Sequence, residues 1–427
     1  MPASRRVVAT GLGWTTPFGT ELKATWGALL EGRSAITTIS EFDASGFPVR
    51  IAGEIKFGAA LRQRFSDFAG AAAHTLYALS AAAEALQDSG LSETSLAPDR
   101  FGVYLGASKG CSYVPELARA TAAATQEGRF HAARFLEHGP RYLEPRAREE
   151  DEYHHPSLAV ARWAGASGPI GVTITSCAAG SQAIGEAFEI VRRGEADVML
   201  AGGTEAMVDP LSLAGFTALG SLSKRNQEPA AASRPFDRGR DGFVLAEGAG
   251  VIVLEELEHA RRRGASIYGE LAGYASTFDA YRVTDPEPDG RGACAAMQRC
   301  LDRAGVAVDQ VDAINAHGTS TPLNDAIETR AIRQIFGARA ARIPVNATKS
   351  MLGHMIAASG AVECIVCFLS LRDQVLHPTI NLDQPDPECD LDYVPHRARA
   401  QRAQVLLSNA FGFGGQNVCL LVRALES

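Results

Sequence analysis

Short runs of β-branched and apolar residues recur along this chain, and most end on glycine or on a small polar residue. Arg6-Val-Val-Ala-Thr-Gly-Leu-Gly13 predicts a strand that stops in a glycine turn. The alanine-rich stretch from Phe68 to Gly90 predicts a long helix, closed by Asp88-Ser-Gly90. Further strands are predicted from Phe101 to Ala107 and from Asp197 to Gly203. Asp241 to Leu254 reads as a glycine-rich turn feeding a buried strand, with a short charged helix from Glu255 to Gly264 behind it. Residues 110–160 alternate in charge, hold several prolines and the pair His154-His155, and predict a surface excursion of helices and loops.

The pattern restarts at Ser266-Ile-Tyr-Gly-Glu-Leu-Ala-Gly273, and the order of elements after it echoes the order before. Ala313 to Thr321 matches the strand and polar turn from Val103 to Gly110. Ile343-Pro-Val-Asn-Ala-Thr-Lys349 runs into a small-residue helix, as Val172-Thr-Ile-Thr-Ser-Cys177 does. A chain of 427 residues exceeds what one hydrophobic core serves, so two α/β halves are expected, 1–264 and 265–427. Packed face to face, such halves would bring the Cys177 elbow and the Lys349 turn into one pocket.

Cys177 is the first candidate for chemistry. A strand that stops at cysteine, followed by Ala-Ala-Gly180, places the sulfur beside the unpaired N–H groups of a helix N-terminus. That setting predicts a lowered thiol pKa and a nucleophile for acyl groups; a small core cysteine is the alternative. His317, in Asn315-Ala-His-Gly-Thr319-Ser-Thr321, and His354, in Lys349-Ser-Met-Leu-Gly353-His354, both lie in glycine-flanked turns at strand ends. Two such histidines beside an elbow cysteine favour catalysis. His154, His155, His259, His377 and His396 lack that setting and are read as structural.

Composition narrows the classes. With 46% hydrophobic and 21% charged residues the chain is an ordinary globular one. A net charge of −8 opposes binding to nucleic acid or to an anionic membrane surface. Of eight cysteines, only Cys364 and Cys367 form a CxxC, inside an apolar run that reads as a buried helix, so no metal site is expected. No span approaches the ~18 apolar residues of a membrane helix, and the polar N-terminal residues lack a signal core. A cytoplasmic, reduced protein is expected.

Taken in order, Ser176-Cys177-Ala-Ala-Gly180, Ser223-Lys-Arg-Asn226, Ser233-Arg-Pro-Phe-Asp237-Arg-Gly-Arg-Asp-Gly-Phe243, Ala316-His317-Gly-Thr-Ser-Thr321, Asn346-Ala-Thr-Lys349 through His354, and Ser408-Asn-Ala-Phe411-Gly-Phe-Gly-Gly415 resemble the β-ketoacyl-acyl carrier protein synthases over nearly the whole length. The resemblance implies a thiolase-like αβαβα layering of two similar halves. It implies decarboxylative condensation of a Cys177-bound acyl chain with malonyl carrier protein, in fatty-acid or polyketide elongation. His317 and His354 would stabilise the enolate, and Lys349 would supply fixed positive charge. Glu328 would partner Lys349 with Asp325 in support, although spacing alone fits a solvated pair equally well. The N–H of Phe411 would join that of Cys177 as an oxyanion hole, with Gly412 allowing close approach and the Phe411 ring gating the acyl pocket. Read without the resemblance, Phe411 to Gly415 is a glycine turn of the phosphate-binding sort, but no Lys-Ser/Thr follows it. Thr319 and Thr321 would bind the phosphopantetheine arm.

No bound cofactor is implied; the phosphopantetheine belongs to the acyl carrier protein. A homodimer is expected, a heterodimer with a homologous subunit being the other arrangement, and Arg62, Arg64, Lys224 and Arg225 are candidate carrier contacts. The rival reading is a non-catalytic partner subunit of a polyketide condensing pair. A thiolase would need a second cysteine as base, and Cys389 and Cys419 lie outside any matching glycine turn. Lys109 stands where the family has an apolar residue at the pocket floor, which implies a shorter or more polar acyl group.

Overall fold

The computed structural model describes residues 5–91, 96–108, 114–142 and 152–425. Lys109 and Cys111 therefore lie outside the described residues. Ten strands form one sheet: β1 (Val7–Thr15), β2 (Phe101–Gly106), β3 (Ile170–Thr173), β4 (Val198–Glu205) and β5 (Gly248–Glu256), then β6 (Gly269–Phe278), β7 (Ala313–Asn315), β8 (Val345–Asn346), β9 (Val405–Gly412) and β10 (Gln416–Arg423). Their spatial order is β8-β7-β9-β10-β6-β1-β5-β4-β2-β3.

Both sets of five share one topology. β3-β2-β4-β5-β1 and β8-β7-β9-β10-β6 run in the same sequence order, parallel for the first two pairings and antiparallel for the next two. The sets meet where Val7–Ala9 of β1 pairs antiparallel with Gly269–Leu271 of β6. Even the irregularities repeat, since register shifts fall between Ala9 and Gly11 and between Leu271 and Gly273. After each shift a glycine faces an outer helix. A Cβ on Gly11 would come within 2.2 Å of the Ala85 carbonyl, and one on Gly273 within 2.7 Å of the Cys300 carbonyl. Only glycine lets those helices lie so close.

Five helices complete the layers: α1 (Ala73–Ser89), α2 (Ala179–Arg192), α3 (Arg291–Ala304), α4 (Pro322–Phe336) and α5 (Ser359–Asp373). α1 covers the outer face of the first set, and α3 with α4 covers that of the second. α2 and α5 lie side by side between the two sets, giving αβαβα. Every residue of α5 from Ser359 to Leu371 is buried, as an all-round apolar helix must be. Cys364 and Cys367 are core residues there. α1 starts at Ala73, later than expected, because Ser66–Phe68 forms a separate 3₁₀ turn; it ends at Gly90, whose φ of +64° only glycine adopts readily. The excursion after β2 includes the helices Val114–Ala123, Ala132–His138 and His155–Ala164.

Candidate active site

α2 and α5 occupy equivalent places in the two sets, so the turns that open them converge. At the first, β3 ends and Ser176, at φ +50°, swings the chain into a single 3₁₀ turn that carries Cys177. A non-glycine residue in that region is strained and held by its surroundings. Gly412 supplies part of the hold, because a Cβ there would lie 3.3 Å from the Cys177 nitrogen and 2.9 Å from the Thr175 carbonyl oxygen. The end of β9 thus closes onto the elbow. The sulfur receives the backbone N–H of Phe413 and its own N–H.

That donor corrects one expectation. Phe411 belongs to β9 and pairs with Asn417, so its ring, 5.8 Å from that of His317, flanks the site while Phe413 two residues on supplies the N–H. A second expectation is also reversed. Burial pushes the Cys177 thiol up to about 11, despite the N–H of Phe413 and the charge of Lys349. The helix N-terminus is present, but Cys177 is only 4% exposed, and desolvation of a thiolate outweighs those attractions.

The turn that opens α5 is Ile356–Ala358, with Ile356 at φ +43° as the counterpart of Ser176. The expected match between the Cys177 elbow and the Lys349 turn is thereby corrected: Lys349 begins a separate short helix, Lys349–Leu352, where it is 2% exposed and spends all three of its protons. It donates to Glu363 Oε1 (2.7 Å), to the His317 carbonyl (2.7 Å) and to His317 Nδ1 (3.2 Å). Because Nδ1 accepts, the His317 proton sits on Nε2. His354 is held in parallel fashion. Ser359 Oγ, which accepts from the Met355 N–H (2.9 Å), lies 3.0 Å from His354 Nδ1 and can give it a proton, leaving Nε2–H free. The two rings stand 5.4 Å apart, nearly perpendicular. Burial first, and the Lys349 charge second, hold both imidazoles well below the usual histidine range, so both are neutral.

The ion-pair partner of Lys349 is therefore Glu363, not Glu328. Glu328 accepts from the N–H groups of His317 and Gly318 (2.9 Å each) and from Asn409 Nδ2 (3.2 Å), which shapes the turn bearing His317. Burial pushes Glu328 and Glu363 each up to about 7. Asp325, fully buried, accepts from the Phe236 N–H (2.9 Å) and lies 3.6 Å from Arg240. Glu363 had a legible signal, as the one acid in an apolar run from Gly360 to Leu369 that must find a partner once buried. Ser359 and Phe413 offered less, being fixed by turn geometry.

A cleft of about 350 Å³ is lined by Cys177, His317, His354 and Phe413 together with Thr319 and Thr321. The Thr319 and Thr321 hydroxyls lie 2.8 Å apart. Among the described residues no group of three or more His, Cys, Asp or Glu is placed to hold a metal ion. His377 is structural, buried between Thr348 Oγ1 (3.0 Å) and the Pro378 carbonyl (2.8 Å).

A family model for the N-terminal domain of β-ketoacyl synthases matches residues 4–260, and one for the C-terminal domain matches residues 268–383. The chain belongs to the β-ketoacyl synthase family. It is 46% identical over 425 residues to the 3-oxoacyl-(acyl-carrier-protein) synthase 2 of Synechocystis sp., covering 99% of each chain. The corresponding protein of Coxiella burnetii is 42% identical over 419 residues, with 98% of each chain covered. Among solved structures, a ketosynthase in complex with its type II polyketide acyl-carrier protein, bound to the hexaketide, superposes with a TM-score of 0.88 at 36% identity, covering 99% of this chain and 100% of that one. A β-ketoacyl synthase from Burkholderia phymatum gives 0.88 at 32% identity with the same coverage. The layered architecture is thus the thiolase-like one, and this β-ketoacyl synthase is an acyl-transferring condensing enzyme.

Proposed function

We propose that Cys177 carries the growing acyl chain and that His317 and His354 drive decarboxylation of the extender. The observation that carries this reading is a pair of buried imidazoles beside one buried thiol, His317 with Nδ1 on the Lys349 ammonium (3.2 Å) and His354 with Nδ1 on Ser359 Oγ (3.0 Å). In the first step the Cys177 sulfur attacks the carbonyl of a carrier thioester. The C–S bond to the carrier breaks, and the thiol proton leaves on the carrier's phosphopantetheine. A malonyl thioester then enters and its C–C bond to the carboxylate breaks, releasing CO₂. The enolate oxygen receives the two Nε2–H donors, an arrangement worth roughly 10²–10³ in rate per donor. The enolate carbon attacks the acyl-cysteine carbonyl, whose oxyanion meets the Cys177 and Phe413 N–H groups. Collapse breaks the acyl C–S bond to Cys177, the thiolate takes a proton from solvent, and a 3-oxoacyl carrier thioester two carbons longer is left.

An acyl carrier protein is the proposed partner, with Thr319 and Thr321 holding its arm. Lys224 and Arg225 flank Asp241 at the cleft rim, whereas Arg62 donates to the Ala69 and Ala71 carbonyls and Arg64 pairs with Glu84. Lys224 and Arg225 are thus the better-placed contacts. We read residues 1–264 and 265–427 as the two halves, and a homodimer or a pair with a homologous chain as the assembly. The non-catalytic reading is disfavoured, since a pure partner has no use for two buried, oriented histidines beside a thiol.

Intact-mass measurement after incubation with a panel of acyl-carrier thioesters tests the proposal. Acyl adducts that vanish in Cys177→Ala are expected, and the preferred acyl group separates fatty-acid from polyketide elongation. Absence of any adduct on the unaltered protein would overturn it.

A further inference from the structure

The segment Ser233–Phe243 lies in the N-terminal half of the sequence yet grips both catalytic turns of the other half. Ser233 Oγ donates to the Lys349 carbonyl (2.7 Å), and the Arg234 N–H donates to Ser320 Oγ (2.9 Å). The Phe236 N–H donates to Asp325 (2.9 Å), and the Gly242 N–H donates to the Ser320 carbonyl (3.1 Å). Ser320, between the two cleft threonines, stands at φ +69°, a strained conformation that these bonds hold from behind.

Arg240 is the centre of this arch. Its side chain is 4% exposed. Nε donates to the Thr321 carbonyl (3.0 Å) and Nη2 to the Pro322 carbonyl (2.8 Å), at the start of α4. Nη1 donates to the Asp237 carbonyl (2.9 Å) and to Asp386 (2.5 Å), and Nε lies 3.6 Å from Asp325. One planar fork therefore ties the Thr319–Thr321 turn to the arch and to a carboxylate on a third segment. A backbone shift at Thr321 would disturb that fork, and the 2.8 Å bond between the two hydroxyls passes such a shift on to Thr319. We infer that Arg240 is a positioning residue for the carrier's phosphopantetheine arm, acting through the backbone of Thr321 and Pro322 to aim the paired hydroxyls of Thr319 and Thr321 into the cleft. Arg240 touches neither the sulfur nor the imidazoles, so its influence falls on binding of the arm. The inference rests on the reading of this cleft as the arm's entry.

Arg240→Lys keeps the charge but cannot donate in four directions from one plane. With the whole protein and acyl and malonyl carrier thioesters, we expect the KM for the carrier substrate to rise about tenfold, while kcat at saturation falls less than about threefold. The rate at which iodoacetamide alkylates Cys177 should match that of the unaltered protein, showing the elbow intact. Asp386→Asn, which weakens only the outer end of the fork, should raise KM in the same direction by about two- to threefold, and it carries the test if Arg240→Lys does not fold. An unchanged KM in either folded variant, or a fall in kcat and alkylation rate without a rise in KM, would overturn the inference. Failure of the unaltered protein to turn over any carrier thioester would overturn the underlying reading instead.

Discussion

At Cys177 two opposing effects meet, and burial wins. A helix N-terminus, the Phe413 N–H and the Lys349 ammonium all favour the thiolate, yet the enclosed sulfur sits near pKa 11. Alkylation of Cys177 by iodoacetamide should therefore rise about tenfold per pH unit from 7 to 10, because the thiolate fraction grows until about 11. A plateau near pH 8, followed by intact mass, would contradict this environment. Next to it, Ser359 Oγ holds His354 Nδ1 at 3.0 Å. Ser359→Ala should lower kcat for condensation on the order of tenfold, with acyl loading of Cys177 changed far less, since only the proposed enolate donor, His354, is disturbed. Single-turnover loading and steady-state condensation, measured in parallel, separate the two steps. The cysteine and both histidines could be picked out from glycine-flanked strand ends. The sequence reading puts the second N–H on Phe411 where the fold puts it on Phe413, because a motif does not say which of two alternating residues leaves the strand.

Within the elements, α5 carries the clearest consequence. From Gly360 to Leu369 it is apolar on every side except for Glu363, whose carboxylate meets Lys349 at 2.7 Å. At pH 8, where the Glu363 carboxylate is ionised, Glu363→Gln should leave a buried ammonium short of its counter-charge and lower stability by about 3–5 kcal/mol, the range for breaking a buried pair. Urea unfolding followed by fluorescence would measure it, and a loss below about 1 kcal/mol would mean that the two His317 contacts suffice to hold Lys349. The helix itself was evident as a long apolar run. Its partner on Lys349 was not, because Glu328 and Glu363 are both acids at helical positions and only packing decides which reaches the ammonium. Glu328 lies nearer His317 in sequence but is drawn to two backbone N–H groups that would otherwise be buried unpaired.

Across the whole molecule, buried carboxylates give folding a definite pH dependence. Burial pushes Glu247 up to about 8, and Glu328 and Glu363 to about 7, from an ordinary 4.5. Between those values the folded form keeps protons that the unfolded chain has released. Their contribution is therefore full below about pH 4.5 and is lost as pH rises through 7 to 8. The urea midpoint should fall from pH 6.5 to pH 8, above the range in which the buried neutral His317, His354 and His377 contribute the opposite slope, and Glu247→Gln should flatten the upper part of that fall. A midpoint that climbs over this interval would show that other groups dominate.

By itself the sequence determined the alternation of strands and helices, the repetition of one motif order in two halves, and the residue types at the elbow and the histidine turns. Those features are local, written in hydrophobic period, glycine placement and β-branched runs. Tertiary structure alone decided that β1 and β6 join the two sets into one sheet, that α2 and α5 share the centre, and that Glu363, Ser359 and Phe413 complete the site. It also decided the protonation states. A thiol raised and two imidazoles lowered follow from how much water the fold removes and which single ammonium it leaves inside, and no local pattern records that.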